Sequence, residues 1–222
     1  MKILTYACLF FAAAATLNGS DANELTELKI ELPPVALVGT PQPIRVPKER
    51  LAPAQTSPVK IPKDSKNLAL GKTVSASDEN PIVGELGYLT DGDKDGDEGY
   101  EVELAPGRQW IQIDLEAPAE IFAIALWHYH RQKRVYHDVI IQISDDPAFK
   151  KGVKTIFNND FDNSSKLGKG EDKVYVETHA GKVIPVNGIR GRYIRFYSRG
   201  NTSDGGNHYI EAEVYGRAAS AN

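Results

Sequence analysis

The chain is 222 residues long and carries 26 lysines and arginines against 30 aspartates and glutamates, a formal net charge of −4. That length holds one domain of ordinary size plus extensions, and the mildly acidic balance gives no electrostatic draw for a polyanion, so nucleic acid is excluded as a partner. The single cysteine, Cys8, lies close to the first residue, which excludes thiol chemistry and disulfides from everything after it.

In chain order, MKILTYACLFFAAAATLNGSDA sets one lysine ahead of an apolar run from Ile3 to Leu17, followed by small and polar residues. This is the pattern of a secretory signal peptide over 1–22. The run is too short to span a bilayer, and no other stretch approaches membrane length. The expected location is therefore secreted or extracytoplasmic, periplasmic or cell-surface. Residues 23–66 carry eight of the 13 prolines. Each removes an amide donor and holds its predecessor extended, so this part reads as a stiff Pro-rich arm and not a packed domain. Within it, ELTELKIEL has Leu28, Ile30 and Leu32 on alternate positions, either a short docking strand or a loosely ordered arm.

From Asn67 to about Arg217 the pattern changes, with a short tail over 218–222. WIQIDLE (110–116), IFAIALWH (121–128), YHDVIIQIS (136–144), VKTIF (153–157), KVYVE (173–177), RYIRFYS (192–198) and HYIEAEVYG (208–216) are β-rich runs between Gly, Pro, Asn and Asp clusters. Ile111, Ile113 and Leu115 face one way, with Gln112 and Asp114 on the other face. IFAIAL is apolar on both faces, as in a central strand covered on each side. The region predicts an all-β fold, a two-sheet sandwich.

NLALGKTVSAS (67–77), LTDGD (89–93), WIQIDLE, SDDPAF (144–149), GRYIRFYS (191–198) and IEAEVYG (210–216) stand in an order and spacing that resembles the discoidin domain. This is the coagulation factor V/VIII type C domain, a galactose-binding-like jelly-roll β-sandwich. The bacterial type, similar to family 32 carbohydrate-binding modules, fits better than the animal type, whose members usually close their ends with a disulfide. The resemblance implies ligand binding by loops at one end of the sandwich, often of galactose-type sugars, without catalysis. It also implies a structural Ca2+ between the Asp-Gly turn and the last strand. Asp91 matches the family aspartate and Glu211 the glutamate of its ending, and Asp93, Asp95 and Asp97 add oxygens suited to a hard cation. The family's threonine after this turn is missing. A second acidic loop, NNDFDNSS (158–165), reads as an Asx-rich turn.

Three of the five histidines, His128, His130 and His137, crowd into ALWHYHRQKRVYHDVIIQIS (125–144). A metal on the His128/His130 pair would need converging carboxylates, but the next residues are Arg131, Gln132, Lys133 and Arg134. A sugar needs planar bidentate groups, imidazoles and an aromatic surface. Tyr129, His130, Arg131 and Arg134 supply these, together with Tyr136. Strand parity sets this loop at the same end as the 91–109 loop with Tyr100, and the resemblance implies that the last loop, RGNTSDGGNHY, adds Asn207 and His208. The 158–172 loop is expected there too. Trp110 and Trp127 read as core or rim, and Arg192 and Arg195 as structural. The expected function is a non-catalytic module for carbohydrate or glycoconjugate. The alternative is a cell-surface adhesion module gripping a protein, with the 23–66 arm as a docking segment; a metal-dependent enzyme on the His128/His130 pair is remote. No G-x-S-x-G, Cys–His pair, H-E-x-x-H or phosphate loop occurs.

Overall fold

The structure, a computed structural model, describes residues 24–40, 43–53 and 57–219. The expected signal peptide lies outside the described residues. Strands run in chain order as β1 (Leu25–Glu27), β2 (Lys60–Pro62), β3 (Lys66–Asn67), β4 (Val74–Ala76), β5 (Val102–Leu104) and β6 (Gln109–His128). They continue as β7 (Ile140–Ser144), β8 (Lys154–Asn158), β9 (Lys182–Ser198) and β10 (Asn207–Ala218). The main ladder is β3-β10-β6-β9-β7-β8, with β4 on β6 and β5 on β10, and its pairings are antiparallel. The architecture is the jelly-roll β-sandwich.

WIQIDLE and IFAIALWH, read as two strands, are one. β6 bends at Glu116, whose φ is 69°, and its register against β9 shifts between Asp114 and Ala119. Before the bend β6 pairs with β4 and the end of β9; after it, with β10 and the start of β9. The EAPAE stretch looks like a break because Pro118 cannot donate to a ladder, yet a bulge absorbs it. The same disguise hid the first half of β9, where Pro185 and Gly188 interrupt the pattern; a second register shift, between Ile121 and Ala123, accommodates them. KVYVE is not a strand: Val174 alone makes a bridge, parallel to Leu51. YHDVIIQIS supplies strand only from Ile140.

Between the layers, Ile111, Ile113, Ile124, Leu126, Ile141, Phe196 and Val214 form the main core, each fully buried side chain worth about 1.5–3 kcal/mol against exposure. On the other face of β6, Ala125 and Trp127 join Ile210 in a smaller cluster. Gly181 passes so close over this indole that a Cβ would lie 2.5 Å from Trp127 Cε2, so any side chain there would evict the ring.

The described parts of the arm, with a 3-10 turn at Lys48–Arg50, lie along the sandwich instead of reaching away from it. β1 pairs with β2, the Leu28 amide donates to Val59 O (2.8 Å), and the Val38 amide donates to Arg131 O (2.8 Å). Farther on, the Ala52 amide donates to Val174 O (2.7 Å). Ile30 packs on the Trp127 cluster. The cause is that outer face of β6: IFAIAL is apolar on both sides, and this chain's own arm supplies part of the second cover. Ile30, one of the alternating apolar residues of the arm expected to dock as a strand, is thus engaged within its own chain. Among the described residues no helix is long and apolar enough to cross a membrane.

Candidate functional site

β6 ends at His128 where β10 begins, with Tyr209 opposite His128 and β5 opposite Asn207–Tyr209. The segments after β5, after β6 and before β10 therefore emerge together, and Asn207 Nδ2 ties the first to the last through Ala105 O and Gly107 O. They are laced to one another. The His137 amide donates to Gly200 O (2.9 Å), Arg199 to His137 O (2.9 Å) and Thr202 to Val135 O (3.0 Å). The 158–172 loop joins this end through the Asn159 amide on Val139 O (3.1 Å).

Between the loops lies an open cleft of about 360 Å³. Tyr129, Gln132 and Arg134 line one side, Glu98 and Glu101 another, with Asp204, His208 and the arm's Val38 completing it. Arg134, its side chain 5% exposed, is fixed in place: Nη1 donates to Asp204 Oδ2 (3.3 Å), Nη2 donates to Gln132 Oε1 (2.6 Å), and the guanidinium stands 4.9 Å from the Tyr129 ring centroid. Its Nε is buried without a partner. Arg134 Nη1 also lies 3.5 Å from His208 Nδ1, which the Tyr136 hydroxyl meets at 3.1 Å. Two donors facing Nδ1 make it the acceptor, so the ring proton sits on Nε2, 3.5 Å from Glu103 Oε1. Burial pulls the His208 imidazole below its usual range, which keeps it neutral at pH 7.

Of the residues expected to bind ligand, Tyr129, Arg134 and His208 line this cleft. The others stand elsewhere. Asn207 is fully buried: its Oδ1 accepts from Ser198 Oγ (2.7 Å) and the Gly200 amide (2.7 Å), while Nδ2 donates to Ala105 O (2.8 Å) and Gly107 O (3.0 Å). Its amide closes the loops from within and has no capacity left for a guest. His130 is buried too, with Nε2 donating to Lys94 O (2.8 Å) and its pKa lowered by burial. Arg131 pairs with Asp97 and lines a neighbouring groove with Leu37 and Lys133. Tyr100 is 60% exposed, its ring 5.8 Å from that of Tyr88, outside the cleft lining. Tyr136 is stowed beneath, stacked on His128 at 4.2 Å.

His128 and His130 belong to no group of three ligand atoms among the described residues. His128 Nδ1 lies 2.8 Å from Glu177 Oε1 inside the molecule, and His130 turns to the Lys94 carbonyl. Among the described residues, the one trio of His, Cys or carboxylate ligand atoms within 4.8 Å of one another is Asp138, Asp160 and Asp162. This acidic triad has the ligands to hold a metal ion. Arg192 and Arg195 are structural, as expected: Arg192 donates twice to Asp114 (2.7 and 2.8 Å), lowering that carboxyl's pKa, and Arg195 Nε donates to Gln112 Oε1 (2.9 Å).

Asp91, Asp93 and Glu211 form no trio of that kind. Asp91 accepts from the Asp93 amide (2.8 Å) and Asp93 from the Asp95 amide (2.9 Å), two successive Asx turns. Glu211 comes to the turn from β10, fully buried, with Oε2 accepting from the Gly92 amide (3.3 Å) and Oε1 buried without a partner. Burial, with Glu213 and Asp91 adding like charge, pushes its carboxyl up to about 9. Lys94 donates to Gly92 O (3.2 Å) and Glu213 Oε1 (2.9 Å) alongside. A buried carboxylate oxygen lacking a donor and facing an Asp-Gly turn fits a hard cation.

Sequence reasoning missed Val38, Glu98, Glu101, Gln132 and Asp204. For the acidic residues the signal was a glutamate pair beside Tyr100 and an aspartate beside Gly205. For Val38 there was none, because its place depends on how the arm lies.

No protein-family model matches the chain, and none of the curated proteins matches it. Among solved structures, an AlyQ fragment with a family 32 carbohydrate-binding module and an alginate lyase domain is 18% identical, with a TM-score of 0.51 over 71% of this chain and 34% of that one. The family 89 glycoside hydrolase of Clostridium perfringens is 21% identical, with a TM-score of 0.51 over 69% of this chain and 15% of that one. A chitosan-binding module from a chitosanase/glucanase of Paenibacillus sp. IK-5 is 23% identical over 68% of this chain and 98% of that one, with a TM-score of 0.48. The likeness to the AlyQ fragment and to the Clostridium perfringens hydrolase is one of fold.

Proposed function

We propose that the chain is an exported, non-catalytic module that binds carbohydrate of galactose type in the cleft at the loop end of its sandwich. The observation that carries this reading is the fixed Arg134: a guanidinium locked by Asp204 and Gln132 beside Tyr129, which presents planar donors without reorganisation. Hydroxyl pairs on a pyranose suit such a fork and its Gln132 and Asp204 neighbours. Val38 and the Tyr129 ring offer apolar surface. The fold neighbours add support, since the AlyQ fragment of similar fold carries a family 32 carbohydrate-binding module.

We propose further that Ca2+ is bound at the Asp-Gly turn by Glu211 and Asp91, with Asp93 beside them, as a structural ion. The unpartnered Glu211 oxygen supports this reading. When bound, the ion would neutralise a buried charge and tie the turn to β10.

The test is an NMR titration of the full chain with galactose-type sugars at high concentration. Expected are shifts at Val38, residues 98–101, Tyr129, Arg134 and 204–208, and their loss with Arg134→Ala. Shifts confined to another part of the molecule would move the site, and no shift with any sugar would end the carbohydrate reading.

A further inference from the structure

Resting on that carbohydrate reading, we infer that the sugar favoured by the cleft carries a free amine: a hexosamine, taken as its ammonium, ahead of the neutral or N-acetylated sugar, with uronic acids refused. The charge of the walls points this way. Glu98 and Glu101 come from the loop before β5 and Asp204 from the loop before β10, three carboxylates from two segments around one cleft. A fourth, Glu103, stands behind His208. Against them the lining has one cation, Arg134, and that guanidinium is already turned to Asp204.

Other nearby cations are accounted for. Arg131 pairs with Asp97, Lys94 with Glu213, and Lys133 opens on the neighbouring groove beside Leu37. His208 adds no positive charge at neutral pH, because burial keeps it uncharged. The Glu101 and Glu98 charges reach the ring that a sugar would touch: after burial itself, they are among the causes that raise the Tyr129 phenol. A ring seated between Val38, Tyr129 and Gln132 would therefore set a C2 substituent in a negative potential. An ammonium there gains, an acetamide gains nothing electrostatic, and a carboxylate meets the like charge of Glu98, Glu101 and Asp204.

The experiment is an NMR titration of the full chain with galactosamine, galactose, N-acetylgalactosamine and galacturonate at matched pH, and with the corresponding gluco series. Ethanolamine serves as an ammonium without a ring. At low salt the free amino sugar is expected to bind about three- to tenfold tighter than its N-acetyl counterpart, the scale of one or two exposed charge pairs. Galacturonate should bind more weakly than galactose. High salt should shrink the amine's advantage, and Glu98→Gln with Glu101→Gln should abolish it while the spectrum stays folded. Equal or reversed ranking within the cleft overturns the inference and leaves the carbohydrate reading standing; so does ethanolamine binding as tightly as galactosamine. If no sugar of either series moves Val38, Tyr129 or His208, the carbohydrate reading falls, and this inference with it.

Discussion

Two acidic loops look alike in the sequence and behave differently in the structure. In the 158–165 loop the carboxylates are served by their own neighbourhood. Asp160 accepts from the Ser164 and Ser165 amides (3.0 and 2.9 Å), and Asp138 from both serine hydroxyls (2.7 and 2.8 Å). In the 91–97 turn Asp91 and Asp93 cap the next amides in a similar way, but Glu211 arrives from β10, buried and half-satisfied. The difference teaches that acid density does not define a cation site. A carboxylate that the fold has dried and the backbone has left short of donors is the better mark.

The largest expected effect belongs to that residue. With its folded pKa raised from an ordinary 4.5 to about 9, Glu211 keeps a proton in the fold where the unfolded chain has released it. Without divalent cation, its contribution to stability is fully present below about 4.5 and is lost as pH rises toward 9. Calorimetry in chelator between pH 5 and 9 should show the melting temperature falling, and calcium should reverse the fall. Glu211→Gln should raise stability in chelator at pH 8, by up to several kcal/mol at roughly 1.4 kcal/mol per pKa unit, and abolish the calcium response. A melting curve indifferent to chelator would remove the calcium proposal.

Asp160→Ala sharpens the other half of the comparison. It strips two backbone donors of their acceptor and should cost about 1–3 kcal/mol in denaturant unfolding, whether or not calcium is present. If this variant lost the calcium response instead, the roles of the two loops would be exchanged. The smallest effect belongs to Asp93→Asn, which keeps an oxygen for the Asp95 amide. In chelator its stability should stay within about 0.5 kcal/mol of the parent, since the site is exposed. A larger loss would mean that Asp93 carries more of the turn than its hydrogen bond implies.

The sandwich was legible because its signals are local. Alternation marked Ile111 and Ile113 for the core, and turn residues separated the runs. Pro118 and Pro185 misled for an equally local reason: each looks like the end of a strand, and only the partner strand's bulge shows otherwise. The crown was readable as a place but not as a set of contacts. Composition picked out Tyr129 and Arg134, and the resemblance added His208 from the loop before the last strand. It could not tell that Asn207, equally polar, faces inward to Ser198, which the buried Tyr209 hydroxyl also meets. Nor could it place Val38, whose position is set by an arm that folds back over a sheet face far away in sequence.

That folded-back arm has a practical corollary for anyone who trims the protein. A fragment beginning at Asn67 would lose Ile30 from the Trp127 and Ile210 cluster and Val38 from the mouth of the cleft. The excised piece would present a greasy flank to its own copies, inviting self-association, and the proposed sugar cleft would lack one lip. Affinities measured on such a fragment would describe a different receptor.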